Sequence, residues 1–255
     1  METQLQSSVL EKLVDDVLII QLNAAHHHNP ISAEMEKTMA KCLKDANEND
    51  GVRAVIITGG RERSFSVGGD FNEVKHFTGG REVDEWIDDI IEMYVACLEV
   101  EKPTIAALDN FVIGIGFQLA LCCDYRMASS RSQLIMPELK NGIACVLGQY
   151  MLEKMLGRAA MQEIVFDCET VPLADCVQLK LLNKVVEPED LAKESMAMAQ
   201  RLAAYPQVAY SLTKREINLE FAKGLRKIVP VAQGVHRAAF RDKSAQRFMN
   251  KILST

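Results

Sequence analysis

Three short segments carry residue types that could do chemistry together. Ser64-Phe65-Ser66-Val67-Gly68-Gly69-Asp70-Phe71 comes after the apolar run AVIITGG, and Phe111-Val112-Ile113-Gly114-Ile115-Gly116-Phe117-Gln118 comes after TIAAL. Each reads as a buried strand, a glycine turn and the start of a helix. Glycine lets a chain turn tightly and lets a ligand approach the backbone, while a helix start offers N–H groups that lack internal partners. Two such turns facing each other would aim two main-chain donors at one oxygen. That is an oxyanion hole, in which a single donor is worth roughly 3 kcal/mol of transition-state stabilisation. The third segment, Leu134-Ile135-Met136-Pro137-Glu138-Leu139-Lys140-Asn141-Gly142, sets Glu138 beside proline and apolar residues. Desolvation there would favour the neutral carboxyl and tune it toward acid–base work. Taken singly, the same residues also suit ordinary strand-to-helix turns and a solvated surface glutamate. Neither glycine segment fits G-x-x-x-x-G-K-[ST], and Gly114-Ile115-Gly116 lacks the third glycine of a dinucleotide fingerprint, so phosphate-loop chemistry is disfavoured.

The elements that must position these segments follow from periodicity. Leu10 to Leu13 and Val17 to Leu22 predict a hairpin around Asp15 and Asp16. Ser32 is placed to cap a helix whose first turn holds Glu34 and Glu36 and whose apolar stripe is Met35, Met39, Cys42, Leu43 and Ala46. Ala54 to Thr58 and Thr104 to Leu108 read as strands buried on both faces, and Glu82 to Leu98 as an amphipathic helix carrying Trp86 and Tyr94. Phe117 to Cys123 reads as a further helix. Beyond Gly148 the pattern becomes helical, apart from a strand at Asn183 to Val186, with helices over Leu191 to Ala204, Gln207 to Ala222 and Ile228 to Ile252. The reading is an α/β core over 1–190 with a docked helical region over 191–255.

Composition excludes several classes. The 255 residues are 48% hydrophobic and 25% charged, a globular balance, and the net charge of −6 argues against a nucleic-acid or anionic-membrane binder. The longest uncharged apolar run, Asn110 to Cys123, is too short to span a bilayer, and METQLQSSVLEKL is too polar for a signal peptide. Seven cysteines without a C-x-x-C pair read as buried thiols of a reduced, cytoplasmic protein.

The motifs SFSVGGDF, IGIGFQ and MPELKNGI, in that order and at those separations, resemble the crotonase (enoyl-CoA hydratase/isomerase) superfamily. GGRERSFSVGGDFNEV, DEWID, KPTIAA, MQEIV and VHRAAF extend the resemblance over about residues 50–240, and are similar in particular to the carboxymethylproline synthases of carbapenem biosynthesis. The resemblance implies a spiral of strand-strand-helix turns with C-terminal helices that pack in a homotrimer or a dimer of trimers. It implies acyl-coenzyme A as substrate, with coenzyme A entering only as part of malonyl-CoA and no tightly bound cofactor or metal. By position, the oxyanion-hole residues are Gly69 and Ile115 and the acid–base residue is Glu138. Coenzyme A contacts fall to His28, Ser66, Val67, Gly69 and Asp70.

One departure separates activities within the family. Enoyl-CoA hydratases carry a second glutamate where this chain has Gln118, and an amide cannot act as a carboxylate base. Glutamine at that place, with Trp86 and His236, matches the carboxymethylproline synthase pattern, which implies decarboxylation of malonyl-CoA, addition of the enolate to pyrroline-5-carboxylate and hydrolysis of the thioester. Gln118, Trp86 and His236 would then meet the amino-acid partner. Plainer readings stand beside these: Trp86 as core, His236 as an interhelical hydrogen-bond partner and Asp70 as a helix cap, the reading preferred for it. His26, His27 and His28 are adjacent, so their side chains are expected to diverge, and no metal is expected there. Arg61 and Arg63 are read as a solvated loop. The alternatives in function are a crotonase that hydrates, isomerises or only decarboxylates an acyl-CoA, and a catalytically silent binding protein.

Overall fold

A computed structural model describes residues 7–254; the first six residues of the polar N-terminal stretch lie outside them. Strands β1 (Val9–Val14) and β2 (Val17–Leu22) form the expected antiparallel hairpin, turning at Asp15, whose φ is 54°. Helix α1 (Ala33–Glu48) follows, with Ser32 Oγ accepting the Met35 N–H and the stripe from Met35 to Ala46 turned inward. Strand β3 (Ala54–Thr58), the one-turn helix α2 (Phe71–Val74) and the long helix α3 (Arg81–Glu99) come next.

From β3 onward the chain repeats one path. A strand in a first sheet is followed by a short strand in a second sheet and then by a helix. The second turn of this path is β4 (Thr104–Leu108), β5 (Phe111–Ile113) and α4 (Ile115–Leu121). The third is β6 (Tyr125–Ser129), β7 (Gln133–Ile135), α5 (Val146–Leu156) and α6 (Arg158–Asp167). The first turn obeys the same plan, because Ser66, between β3 and α2, bridges in parallel to Val112. Strand β8 (Thr170–Val171), helix α7 (Leu173–Gln178) and strand β9 (Lys184–Val186) close the core, and α8 (Leu191–Ala203), α9 (Gln207–Arg241) and α10 (Ser244–Leu253) complete the chain. The first sheet has the order β1-β2-β3-β4-β6-β9 and is parallel except for the β1–β2 hairpin; the second has the order β5-β7-β8.

Strand alternation divides the apolar residues of the first sheet between two faces. Leu18, Ile20, Val55, Ile57, Ala106 and Leu108 enter the main core between the sheets, α1 and α3. Val17, Ala54, Ile56, Ile105, Ala107 and Met127 face the other way and are covered by Leu191, Ala199 and Ala203 of α8, with Met196 and Met198 packed beside them. Each fully buried large side chain contributes on the order of 1.5–3 kcal/mol, so truncating Met39 of α1 to alanine would cost about 2–5 kcal/mol. All seven cysteines are buried and unbridged. Among the described residues no helix is long and apolar enough to cross a membrane.

Three features differ from the sequence reading. Strand β6 has no counterpart among the expected elements, and its Arg126 guanidinium is buried because it donates to the Leu181, Ala120 and Cys123 carbonyls. Helix α9 runs unbroken through Gly224 and Pro230, where two helices were expected. The break falls later, at Lys243, which takes φ 65° and starts α10. Gly224 serves packing instead of termination, as a Cβ there would stand 1.7 Å from the Tyr150 hydroxyl.

Candidate active site

The three chemistry-bearing segments occupy the same position in three successive turns of the path, just beyond the second-sheet strand. Register sets them side by side. Ile113 N–H donates to the Ser66 carbonyl and Gly114 N–H to the Ile135 carbonyl, at 2.9 and 3.1 Å. Val67-Gly68-Gly69, Gly114-Ile115 and Pro137-Glu138 therefore line one pocket, with Phe71, Val74 and Trp86 on one side and Asn141 and Ile143 on the other. It encloses about 50 Å³, room for a few waters or a small acyl head.

The two glycine turns approach as closely as backbones allow. A Cβ on Gly116 would lie 2.6 Å from Ser66 Cβ, and one on Gly68 would lie 3.2 Å from the Ile113 carbonyl oxygen. Gly114 takes φ 53°, a left-handed value that favours glycine, and this turn ends β5 and starts α4 at Ile115, two residues before the expected start. Ser66 Oγ accepts the Gly68 N–H and braces the first turn. The N–H groups of Gly69 and Ile115 have no acceptor among the described residues, in a structure whose neighbouring amides at Gly68, Asp70 and Gly114 all have one. Two unspent donors thus border the pocket.

Glu138 stands opposite. It is 8% exposed, its Oε1 accepts from Gln118 Nε2 at 2.7 Å, and its Oε2 has no partner. Burial pushes its pKa up to about 7, held from rising further by its own N–H, the Gln118 amide and the Cys145 thiol. Near neutral pH the group can both take and give a proton.

The remaining predicted residues divide. Trp86 is both core and pocket wall. Gln118 lies behind Glu138, outside the pocket lining, and addresses the carboxyl directly. His236 is a further layer away: its ring packs edge-on against Trp86 at 5.9 Å, and its Nδ1 lies 2.7 Å from the Ala232 carbonyl within α9. Burial lowers its pKa, so it is neutral at pH 7 and donates from Nδ1 to that carbonyl. Asp70 caps α2, accepting the Asn72 N–H at 2.8 Å, which is the plainer of its two readings.

His28 sits at the rim of the 23–31 loop, with Nδ1 2.8 Å from Ser64 Oγ. The three histidine rings do not diverge; their centroids lie 3.8–5.1 Å apart in a turn closed by the Asn29 N–H on the His26 carbonyl. Among the described residues no His/Cys/Asp/Glu group is placed to hold a metal. Arg63 is not solvated either: it donates to the Ala24 and His26 carbonyls and to Asn29 Oδ1, bracing this loop, whereas Arg61 is exposed. Sequence reasoning missed Val74, Asn141 and Ile143 as lining, since nothing in their spacing marks them.

The chain belongs to the enoyl-CoA hydratase/isomerase family, the crotonases, whose profile matches residues 13–253; family and fold class are as the motifs implied. It is 42% identical over 245 residues to the carboxymethylproline synthase of Pectobacterium carotovorum, covering 96% of this chain and 98% of that one. It is 30% identical over 219 residues to the short-chain-enoyl-CoA hydratase of Clostridium acetobutylicum, covering 84% of this chain and 82% of that one. Among solved structures, ThnE from S. clavuligerus superposes with a TM-score of 0.78 at 30% identity, covering 89% of this chain and all of that one. An enoyl-CoA hydratase from Bacillus halodurans superposes with a TM-score of 0.88 at 18% identity, covering 96% of this chain, a likeness of fold alone.

Proposed function

We propose that the chain is a carboxymethylproline synthase. Malonyl-CoA binds with its thioester oxygen between the N–H groups of Gly69 and Ile115. Loss of carbon dioxide leaves the bonding electron pair on the acyl group as an enolate, whose oxygen those two donors stabilise. This step requires no base, because the electrons come from the departing carboxylate. The enolate carbon then attacks C5 of the protonated imine of pyrroline-5-carboxylate, forming a carbon–carbon bond as the C=N π pair becomes the lone pair of the ring amine. Finally the Glu138 carboxylate removes a proton from a water that adds to the thioester carbonyl, and coenzyme A leaves as the thiol. Orienting the enolate carbon against the imine carbon supplies much of the rate.

The observation that carries this reading is the pairing of a single buried carboxyl with an amide at the place of a second one. Glu138 meets Gln118, at 2.7 Å, where hydration would call for two carboxylates. The 42% identity to a carboxymethylproline synthase along nearly the whole chain supports the same choice. The exposed apolar residues of α9, among them Val208, Ile217, Val231 and Val235, support assembly of copies through the C-terminal helices.

The test is a mass-spectrometric product assay with malonyl-CoA alone and with the imine, using Glu138→Ala as control. Carboxymethylproline is expected only with both substrates and intact Glu138. Decarboxylation without that product would reject the full assignment, and fast hydration of crotonyl-CoA would favour the hydratase reading.

A further inference from the structure

One buried polar side chain beside the site has no part in the steps above. Tyr94, on α3, is fully buried. Its hydroxyl lies 3.1 Å from Gln118 Oε1 and 3.3 Å from the Ile115 carbonyl oxygen. A phenol has one proton to donate, and both of these neighbours are acceptors. The Gln118 amide has two unlike ends, and their surroundings differ in kind. Around Nε2 stand two acceptors, Glu138 Oε1 at 2.7 Å and Met136 Sδ at 3.5 Å. At Oε1 stands one donor, the Tyr94 hydroxyl, the only one among the described residues.

Resting on the reading of Glu138 as the acid–base group, we propose that Tyr94 is a positioning residue: by donating to Gln118 Oε1 it fixes which end of the amide faces Glu138, and so directs the exchangeable proton to Glu138 Oε2. Reversed, the amide would turn its oxygen toward a sulfur and a carboxyl oxygen, an arrangement tolerable only if Glu138 kept a proton on Oε1. That proton would be committed to Gln118 and turned away from any water on the thioester. With Tyr94 in place, Oε1 is occupied by an N–H and the unpartnered Oε2 is the atom that exchanges. Without the hydroxyl, Gln118 Oε1 would be a buried acceptor with no donor, and it would gain by reversing onto a protonated Glu138. The neutral carboxyl would be favoured and its pKa would rise.

Three groups face Glu138: Gln118 from α4, which does not titrate; the Cys145 thiol from the start of α5; and, through Gln118, the Tyr94 phenol from α3. Burial pushes both the thiol and the phenol well above their ordinary values. Between pH 5 and 9 the carboxyl is therefore the group of this cluster that changes charge.

The experiment follows the Glu138 carboxyl by 13C NMR in glutamate-labelled protein without substrate, its signal assigned by its loss in Glu138→Gln. Tyr94→Phe is expected to raise the titration midpoint by about 0.5–1 unit. Gln118→Ala should raise it as well, and the double variant should titrate like Gln118→Ala alone. An unmoved midpoint in Tyr94→Phe, or a double variant in which the two shifts add, overturns the proposal. Should Tyr94→Phe not fold, 3-fluorotyrosine at position 94 supplies a more acidic donor and is expected to lower the midpoint; no movement there overturns it equally. Because no substrate is used, a failure here and a failure of the product assay are separate results.

Discussion

Glu138 and Glu36 are both buried carboxyls, and they differ in what surrounds them. Glu36, on α1, is 0% exposed, and neither of its oxygens has a hydrogen-bond partner. Burial, with Asp89 and Glu73 adding repulsion, pushes its pKa up to about 9. Glu138 is nearly as deeply placed, yet the Gln118 amide, the Cys145 thiol and its own N–H hold it to about 7. Burial beside like charges locks a carboxyl in its neutral form. Burial tempered by nearby donors, with a pocket beside it, yields a group that changes charge near neutrality.

Glu138→Ala should reduce release of free acid from the thioester on the order of a hundred- to ten-thousand-fold, while decarboxylation of malonyl-CoA persists; normal free acid by mass spectrometry would make the two glutamates equivalent. Gly116→Ala leaves both carboxyls intact but forces the glycine turns apart, since its Cβ would lie 2.6 Å from Ser66 Cβ. Decarboxylation is expected to drop about a hundredfold, with about 1–3 kcal/mol of stability lost on thermal melting.

Gln118→Glu replaces the donor with a second carboxyl. The pair would then share a proton, and crotonyl-CoA hydration should rise roughly tenfold or more above the parent, at the expense of the carbon–carbon product. An unchanged ratio of the two activities would show that the side chain at 118 does not select the reaction.

Glu36→Leu acts on stability. The folded chain holds a proton at Glu36 that the unfolded chain releases near pH 4.5 and the folded one near pH 9. Between those values stability falls as pH rises, by up to about 1.4 kcal/mol per unit. The variant should flatten that slope in urea melts between pH 5 and 8, be more stable than the parent at pH 8, and turn over malonyl-CoA within about twofold of it. A slope unchanged by the substitution would remove Glu36 from this account.

Much of this was legible in residue order. The hairpin, the Ser32 cap, the buried strands β3 and β4 and the two glycine turns are local patterns, and local patterns survive in sequence. The second sheet was not legible, because strands of two and three residues such as β5, β7 and β8 are shorter than any periodicity. The register that sets Glu138 beside Gly69 and Ile115 lies in that sheet. Tyr94 was visible only as one residue on an apolar stripe, since its partner, Gln118, lies 24 positions away and meets it only through folding.

The donors proposed for the thioester oxygen are main-chain atoms at the ends of strands one spiral turn apart. Short of proline, no substitution deletes a peptide N–H, so a chain built on this frame can exchange the side chains around it, as at 118, while keeping both donors. What such a frame does not tolerate is a single-residue slip in three short strands, which would carry every donor to the wrong face at once.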